Sequence, residues 1–210
     1  MPSASVAALV APPPPALCAV RLVDASQLED ALAKLAAVSY PLHSSDQRRF
    51  AAGETRIALR VATHRSRLFL DAAWTDATED GGDRLDVLTP ADASAPGFEK
   101  LGCVDTCHLG DAKPHRAEAG EPLALFVVDG VRAREHRLTD SGIVSAERAN
   151  AELEGSLTRT TDGWRVRMSF AIPPARFVSR ELPIGISVFD GLPKAHALRA
   201  APIRVRFDCP

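Results

Sequence analysis

The sequence predicts a single mainly β domain built as an antiparallel β-sandwich. Three observations carry that reading. About eight short segments alternate apolar and polar residues with the period of two that a half-buried strand requires. Turns rich in Gly, Pro and Asp separate them at short spacing, and little of the chain shows the longer period of an amphipathic helix.

The first sixteen residues are small, apolar and Pro-rich, and they lack the charged start and Leu-rich stretch of a signal peptide. Residues 1–16 are therefore read as a flexible arm and 17–210 as the folded domain, because no helix or central strand tolerates Pro12 to Pro15. Leu17 to Val23 alternates loosely as a first strand. Ser26 to Ala37 spaces Leu28, Ala31, Leu35 and Val38 as a short amphipathic helix with Ser26 as its cap candidate. Ile57, Leu59 and Val61, a turn at Thr63 to Ser66, then Leu68, Leu70, Ala72 and Trp74 describe a β-hairpin.

Asp71, Asp76, Glu79, Asp80 and Asp83 around Gly81-Gly82 read as solvated acids, and Arg84 to Leu88 as a further strand. Leu123, Leu125 and Val127 alternate again. Leu153 to Arg159 and Trp164 to Phe170 bracket the turn Thr161-Asp162-Gly163. Ile184, Ile186 and Val188 make another strand, and Ile203, Val205 and Phe207 the last.

The 25 Lys and Arg against 27 Asp and Glu leave a net charge of −2, so no global field recruits nucleic acid or an anionic membrane surface. No apolar run reaches the roughly 18 residues of a membrane-spanning helix. There is no nucleophile elbow, phosphate-binding Gly loop or paired-acid spacing, so no enzymatic chemistry of its own is expected.

The chemistry-bearing residues concentrate in Pro96 to Gly120, a segment without clear period. Cys103-Val104-Asp105-Thr106-Cys107-His108 sets two thiols directly before an imidazole. In haem attachment the thiols reach the two porphyrin vinyl groups while the histidine reaches the iron. The usual motif has two residues between the cysteines where this one has three. As a bare motif it also allows a local disulfide or zinc, although no second Cys or His pair stands at structural zinc spacing. Cys18 and Cys209 lie near opposite ends, where a disulfide would tie the first strand to the last; sequence leaves that pairing open.

A second axial ligand could come from His43, His64, His115, His136, His196, Lys194 or Met168. His64 sits in a turn and His136 in Arg-Glu-His-Arg, which favours solvent for both. Met168 shares the inward phase of Trp164, Val166 and Phe170, a core position. His115 is too near His108 to reach the opposite haem face easily, and Lys194 would have to be held neutral. His196, in a loop after a buried strand, is the first choice and His43 the second.

Several pieces in order resemble the haem-binding domain family of ethylbenzene dehydrogenase gamma subunits and their cytochrome c relatives. They are Pro41-Leu42 with Gln47, the hairpin end Leu70 to Thr78, Pro96-Gly97-Phe98-Glu99-Lys100-Leu101-Gly102-Cys103 through His108, and Trp164-Arg165-Val166 followed by Leu182 to Gly191. The resemblance implies a sandwich akin to a carbohydrate-binding module. It also implies one haem c on Cys103 and Cys107 with His108 on the iron, and more loosely His196 opposite. A redox partner follows, either a molybdenum enzyme or a membrane cytochrome, on the periplasmic or otherwise extracytoplasmic side. The expected function is thus a c-type electron-transfer subunit. The first alternative is a b-type gamma subunit of a molybdenum oxidoreductase holding haem b. The second is a haem-free β-sandwich binding module with a Cys103–Cys107 disulfide. Trp74 and Trp164 could serve such a module as a sugar platform, but their inward phase assigns them to the core.

Overall fold

The computed structural model describes residues 15–44, 56–76, 82–91, 95, 98, 123–138, 153–189, 196–198 and 202–209. They form the expected β-sandwich. The strands are β1 (Leu17–Cys18), β2 (Val20–Arg21), β3 (Val38–Pro41), β4 (His43–Ser44), β5 (Arg56–His64), β6 (Arg67–Thr75) and β7 (Arg84–Pro90). They continue with β8 (Leu123–Asp129), β9 (Arg132–Leu138), β10 (Glu154–Arg159), β11 (Gly163–Ala171), β12 (Glu181–Phe189), β13 (His196–Leu198) and β14 (Ile203–Arg206). Two short helices accompany them, α1 (Leu28–Lys34) and α2 (Pro174–Ser179).

One sheet runs β10-β11-β6-β5-β2, with β3 also on β5. The other runs β1-β14-β12-β7-β8-β9, extended by β13 on β12 and β4 on β13. Pairing is antiparallel except where β1 joins β14 and β2 joins β5. The alternation read from the sequence sets the inward faces. Ile57, Leu59, Val61, Leu68, Leu70, Ala72 and Trp74 meet Leu85, Val87, Ala124, Phe126, Val128, Ile184, Ile186 and Val188 in one core. Phe126 and Phe170 stack across the gap with ring centroids 4.5 Å apart.

Turn chemistry fixes the register. Gly163 opposes Thr75 at the head of β11, and a Cβ there would lie 2.0 Å from the Trp74 carbonyl oxygen, so only glycine fits this approach. At α1 the sequence reading needs correcting. A 3-10 turn, Ala25–Gln27, precedes the helix, and Asp24 rather than Ser26 caps it. Asp24 accepts from the Ser26 amide at 2.9 Å, and Gln27 Oε1 accepts from the Asp24 amide at 3.4 Å, a capping box. The Ser26 hydrogen bonds hold the Asp24 carboxyl below its ordinary value.

Leu22, Leu32 and Ala62, with Leu28, Ala31, Leu35 and Phe69, dock α1 on the outer face of the six-stranded sheet. The outer face of the other sheet is covered as well, where Ala95 and Phe98 pack with Leu88, Leu123, Leu125 and Val127. Gly185 lets the Phe98 ring approach, since an added Cβ would meet it at 3.3 Å. This double covering makes β7, β8 and β12 nearly continuous in burial rather than alternating.

The termini meet. Leu17 and Cys18 pair with Val205 and Arg206, and a disulfide joins Cys18 to Cys209 across 191 residues of sequence. Closing so long a loop constrains the unfolded chain, a contribution of about 3–5 kcal/mol in the chain-entropy treatment. Cys18→Ser, or reduction of the wild type, is expected to lower the melting temperature by on the order of 10 °C in differential scanning calorimetry. Equal melting temperatures with and without reductant would show that the bridge contributes nothing.

Candidate functional site

The outer face of the six-stranded sheet carries a groove, and its chemistry follows from strand register. In β6 the apolar residues Leu68, Leu70, Ala72 and Trp74 face inward, so Phe69 and Asp71 face outward, Phe69 against α1. Asp71 stands opposite Arg60 of β5 and Arg167 of β11. It is fully buried. Arg165 donates to it through Nε at 2.6 Å and Nη2 at 2.9 Å, and Arg60 through Nη1 at 3.1 Å, while Arg167 Nε stands 3.7 Å away. The expectation of a solvated acid here is wrong because the carboxylate sits beneath three guanidiniums. Hydrogen bonding to Asp71 in turn raises the Arg165 pKa.

Arg167 also donates through Nη1 to both carboxylate oxygens of Glu29 in α1, at 2.6 and 2.5 Å, tying helix to sheet. Next to this tie a groove of about 280 Å³ opens between α1 and strands β6, β10 and β11. Leu28, Leu32 and Phe69 form an apolar wall, and Glu29, Glu154, Ser156, Arg167 and Ser169 a polar one. Arg67 donates to the Ser169 hydroxyl at 2.6 Å and lies 3.5 Å from Glu154, holding the far rim. Acceptors, donors and an apolar surface thus converge in a volume near the lower end of small-ligand sites.

The other sheet buries an acid of its own. Asp86 lies on the outer face of β7, fully buried, 3.1 Å from Arg84 Nε. The Arg84 guanidinium itself lies 3.8 Å over the Phe189 ring. Burial pushes the Asp86 carboxyl up to about 7, against the opposing pull of Arg84. Asp83, also read as solvated, is buried.

The residues singled out for haem fare differently. Cys103, Cys107, His108, His115 and Lys194 lie outside the described residues. His196 and His43 fall on neighbouring strands, β13 and β4, where Leu198 pairs with His43 and Phe189 with His196. His196 is therefore in a strand, not the expected loop. Met168 is 4% exposed in the core, in the space that Gly155 opposite it leaves free. Its thioether fills the sandwich, as its inward phase predicts. His136, expected in solvent, is buried on β9. Trp74 is buried in the core and Trp164 packs half-buried against it, the two directly opposite in register, as their phase predicts. Among the described residues no group of three or more His, Cys, Asp or Glu could hold a metal ion.

No protein-family model matches the chain, and no curated protein matches it. It is similar to two solved structures of a family 9 carbohydrate-binding module from Caldicellulosiruptor kristjanssonii. The one in complex with cellotriose is 9% identical over 92% of this chain and 93% of that chain, with a TM-score of 0.46. The one in complex with glucose is 8% identical over 93% of this chain and 97% of that chain, with a TM-score of 0.42.

No family model indicates a haem-binding or cytochrome family, and the resemblance to ethylbenzene dehydrogenase gamma subunits is corrected. The haem c cofactor, the haem b alternative and the electron-transfer reading of the chain are corrected with it. No finding bears on the redox partner that the resemblance implied.

Two outcomes test the charge assignments. The folded state holds the Asp86 proton up to about 7, whereas an unfolded chain releases it near 3.9. The stability this group contributes is fully present below about pH 4 and is lost as pH rises toward 7. Asp86→Asn is expected to flatten the fall in melting temperature between pH 4 and 7; an unchanged slope assigns that fall to other groups. Asp71→Asn is expected to destabilise by about 2–3 kcal/mol in urea titration. That is less than the loss of a wholly buried pair, because the arginines retain water contact. A change within about 0.5 kcal/mol would remove Asp71 as the organising charge.

Proposed function

We propose that this chain is a haem-free, non-catalytic β-sandwich module that binds a small hydroxylated ring, of the saccharide class, in the groove between α1 and the six-stranded sheet. The observation that carries the proposal is the composition of that groove. Glu29, Glu154 and Arg167 supply acceptors and donors, Ser156 and Ser169 supply hydroxyls, and Phe69 with Leu28 and Leu32 supplies an apolar surface. A ring with polar edges and apolar C–H faces satisfies both walls at once, whereas a purely apolar ligand would leave the polar wall without partners.

The Cys18–Cys209 bridge supports an oxidising, extracytoplasmic location, since such bonds persist poorly in a reducing cytosol. No helix of the described residues is long and apolar enough to cross a membrane. In the same setting Cys103 and Cys107 would form the second, local disulfide.

Protein secreted into an oxidising compartment that also contains haem-maturation machinery is expected to be colourless. Its intact mass should match two disulfides and no added haem. Titration calorimetry against neutral mono- and disaccharides is expected to find a ligand whose affinity drops about tenfold in Phe69→Ala and in Arg167→Ala. A covalent haem spectrum would overturn the proposal. So would a saccharide affinity that both substitutions leave unchanged.

A further inference from the structure

Beside the groove, the same sheet face holds a second arrangement that does not depend on what the groove binds. Ala58 of β5 and Ala73 of β6 are paired, with Ser39 of β3 next across on one side and Arg165 of β11 on the other. Both alanines are only half-buried, so two methyl groups form a shallow floor open to solvent.

Three guanidiniums border that floor, and each is anchored by two hydrogen bonds. Arg56 donates to the Ser39 hydroxyl at 2.8 Å and to the Ser39 carbonyl at 2.9 Å. Arg60 donates to the Leu35 carbonyl at 2.9 Å and to Asp71 at 3.1 Å. Arg165 donates twice to Asp71, at 2.6 and 2.9 Å. One nitrogen of each, Nη1 of Arg56, Nη2 of Arg60 and Nη1 of Arg165, makes no hydrogen bond among the described residues. Anchoring removes most of the side-chain freedom that binding would otherwise cost, and the remaining N–H groups keep a fixed fork geometry.

The charges do not balance. Among the described residues Asp71 is the one carboxylate bonded to this trio, and the neighbouring Arg167 is matched by Glu29. Three positive charges against one leave a surplus of two, on a chain whose net charge is −2.

We propose that Arg56, Arg60 and Arg165 form a binding site for a doubly charged tetrahedral oxyanion, the sulfate or phosphate ester of a ligand. A dianion matches the surplus of two, and its several oxygens can accept from donors arriving from separate strands. A halide offers no geometry for the forks, and a single carboxylate would neutralise only half of the surplus.

The test uses the full chain with nitrogen-15 labelling. Inorganic sulfate and inorganic phosphate are titrated at constant ionic strength against chloride, and the arginine Nε–H signals are followed. Saturable shifts of the Arg56, Arg60 and Arg165 signals are expected with sulfate and not with chloride. Arg56→Gln, which leaves the Asp71 network intact and so does not threaten folding, is expected to weaken sulfate binding about tenfold. Arg165→Lys keeps the charge but loses the fork and is expected to weaken it as well. Phosphate binding as tightly as sulfate assigns the site to tetrahedral dianions in general, and preference for either one assigns its source. Equal response to chloride, or an affinity unchanged in folded Arg56→Gln, would overturn the site and leave an adventitious ion only.

Discussion

Much of this molecule depends on the period-two register that β5, β6 and β11 share. Placing Leu70 and Trp74 inward commits Asp71 to the opposite face, where the ladder sets Arg60 on one side and Arg167 on the other. A carboxylate in that position is covered by its own neighbours, and guanidiniums surround it. A slip of one residue would send Asp71 into the core and Leu70 into water. The buried charge therefore enforces the same register as the apolar residues do, and α1 is fastened to the finished sheet through Arg167 and Glu29.

The strands were legible because alternation is a local property. The hairpin β5–β6, the pair β10–β11 around Asp162 and Gly163, and the runs β12 and β14 fall where the pattern puts them. What escaped was non-local. Asp71 was grouped with the acids that follow it in sequence, yet its surroundings depend on β11 lying beside β6, a strand order that spacing does not reveal. His136 sits in a polar string and is buried all the same, because the outer face of its sheet is covered. The Cys18–Cys209 pairing required knowing that β1 joins β14.

The haem reading failed for a related reason. Segments such as Leu70 to Trp74 and Ile184 to Val188 look like pieces of a haem-binding family, but they are what an alternating sandwich strand needs in any setting. They inform on the fold and are silent on a cofactor. Only the short stretch from Cys103 to His108 spoke of haem directly, and one short motif is weak support for a function. Met168 shows the difference between a candidate list and a packed protein, since the pairing with Gly155 makes it a filler of the core.

The two sheets divide the work between their outer faces. On the eight-stranded sheet Leu88, Leu123, Leu125 and Val127 are covered by Ala95 and Phe98, and one of its acids, Asp86, is driven toward its neutral form by burial. That face is committed to structure. On the six-stranded sheet a short helix covers only part of the surface, and arginines replace the apolar residues. Guanidiniums keep their charge when half-buried, and they can be anchored on one side while donating on the other. A face built in this way stays rigid and polar at once, which is the physical requirement for recognising an ionised or hydroxylated ligand without refolding around it.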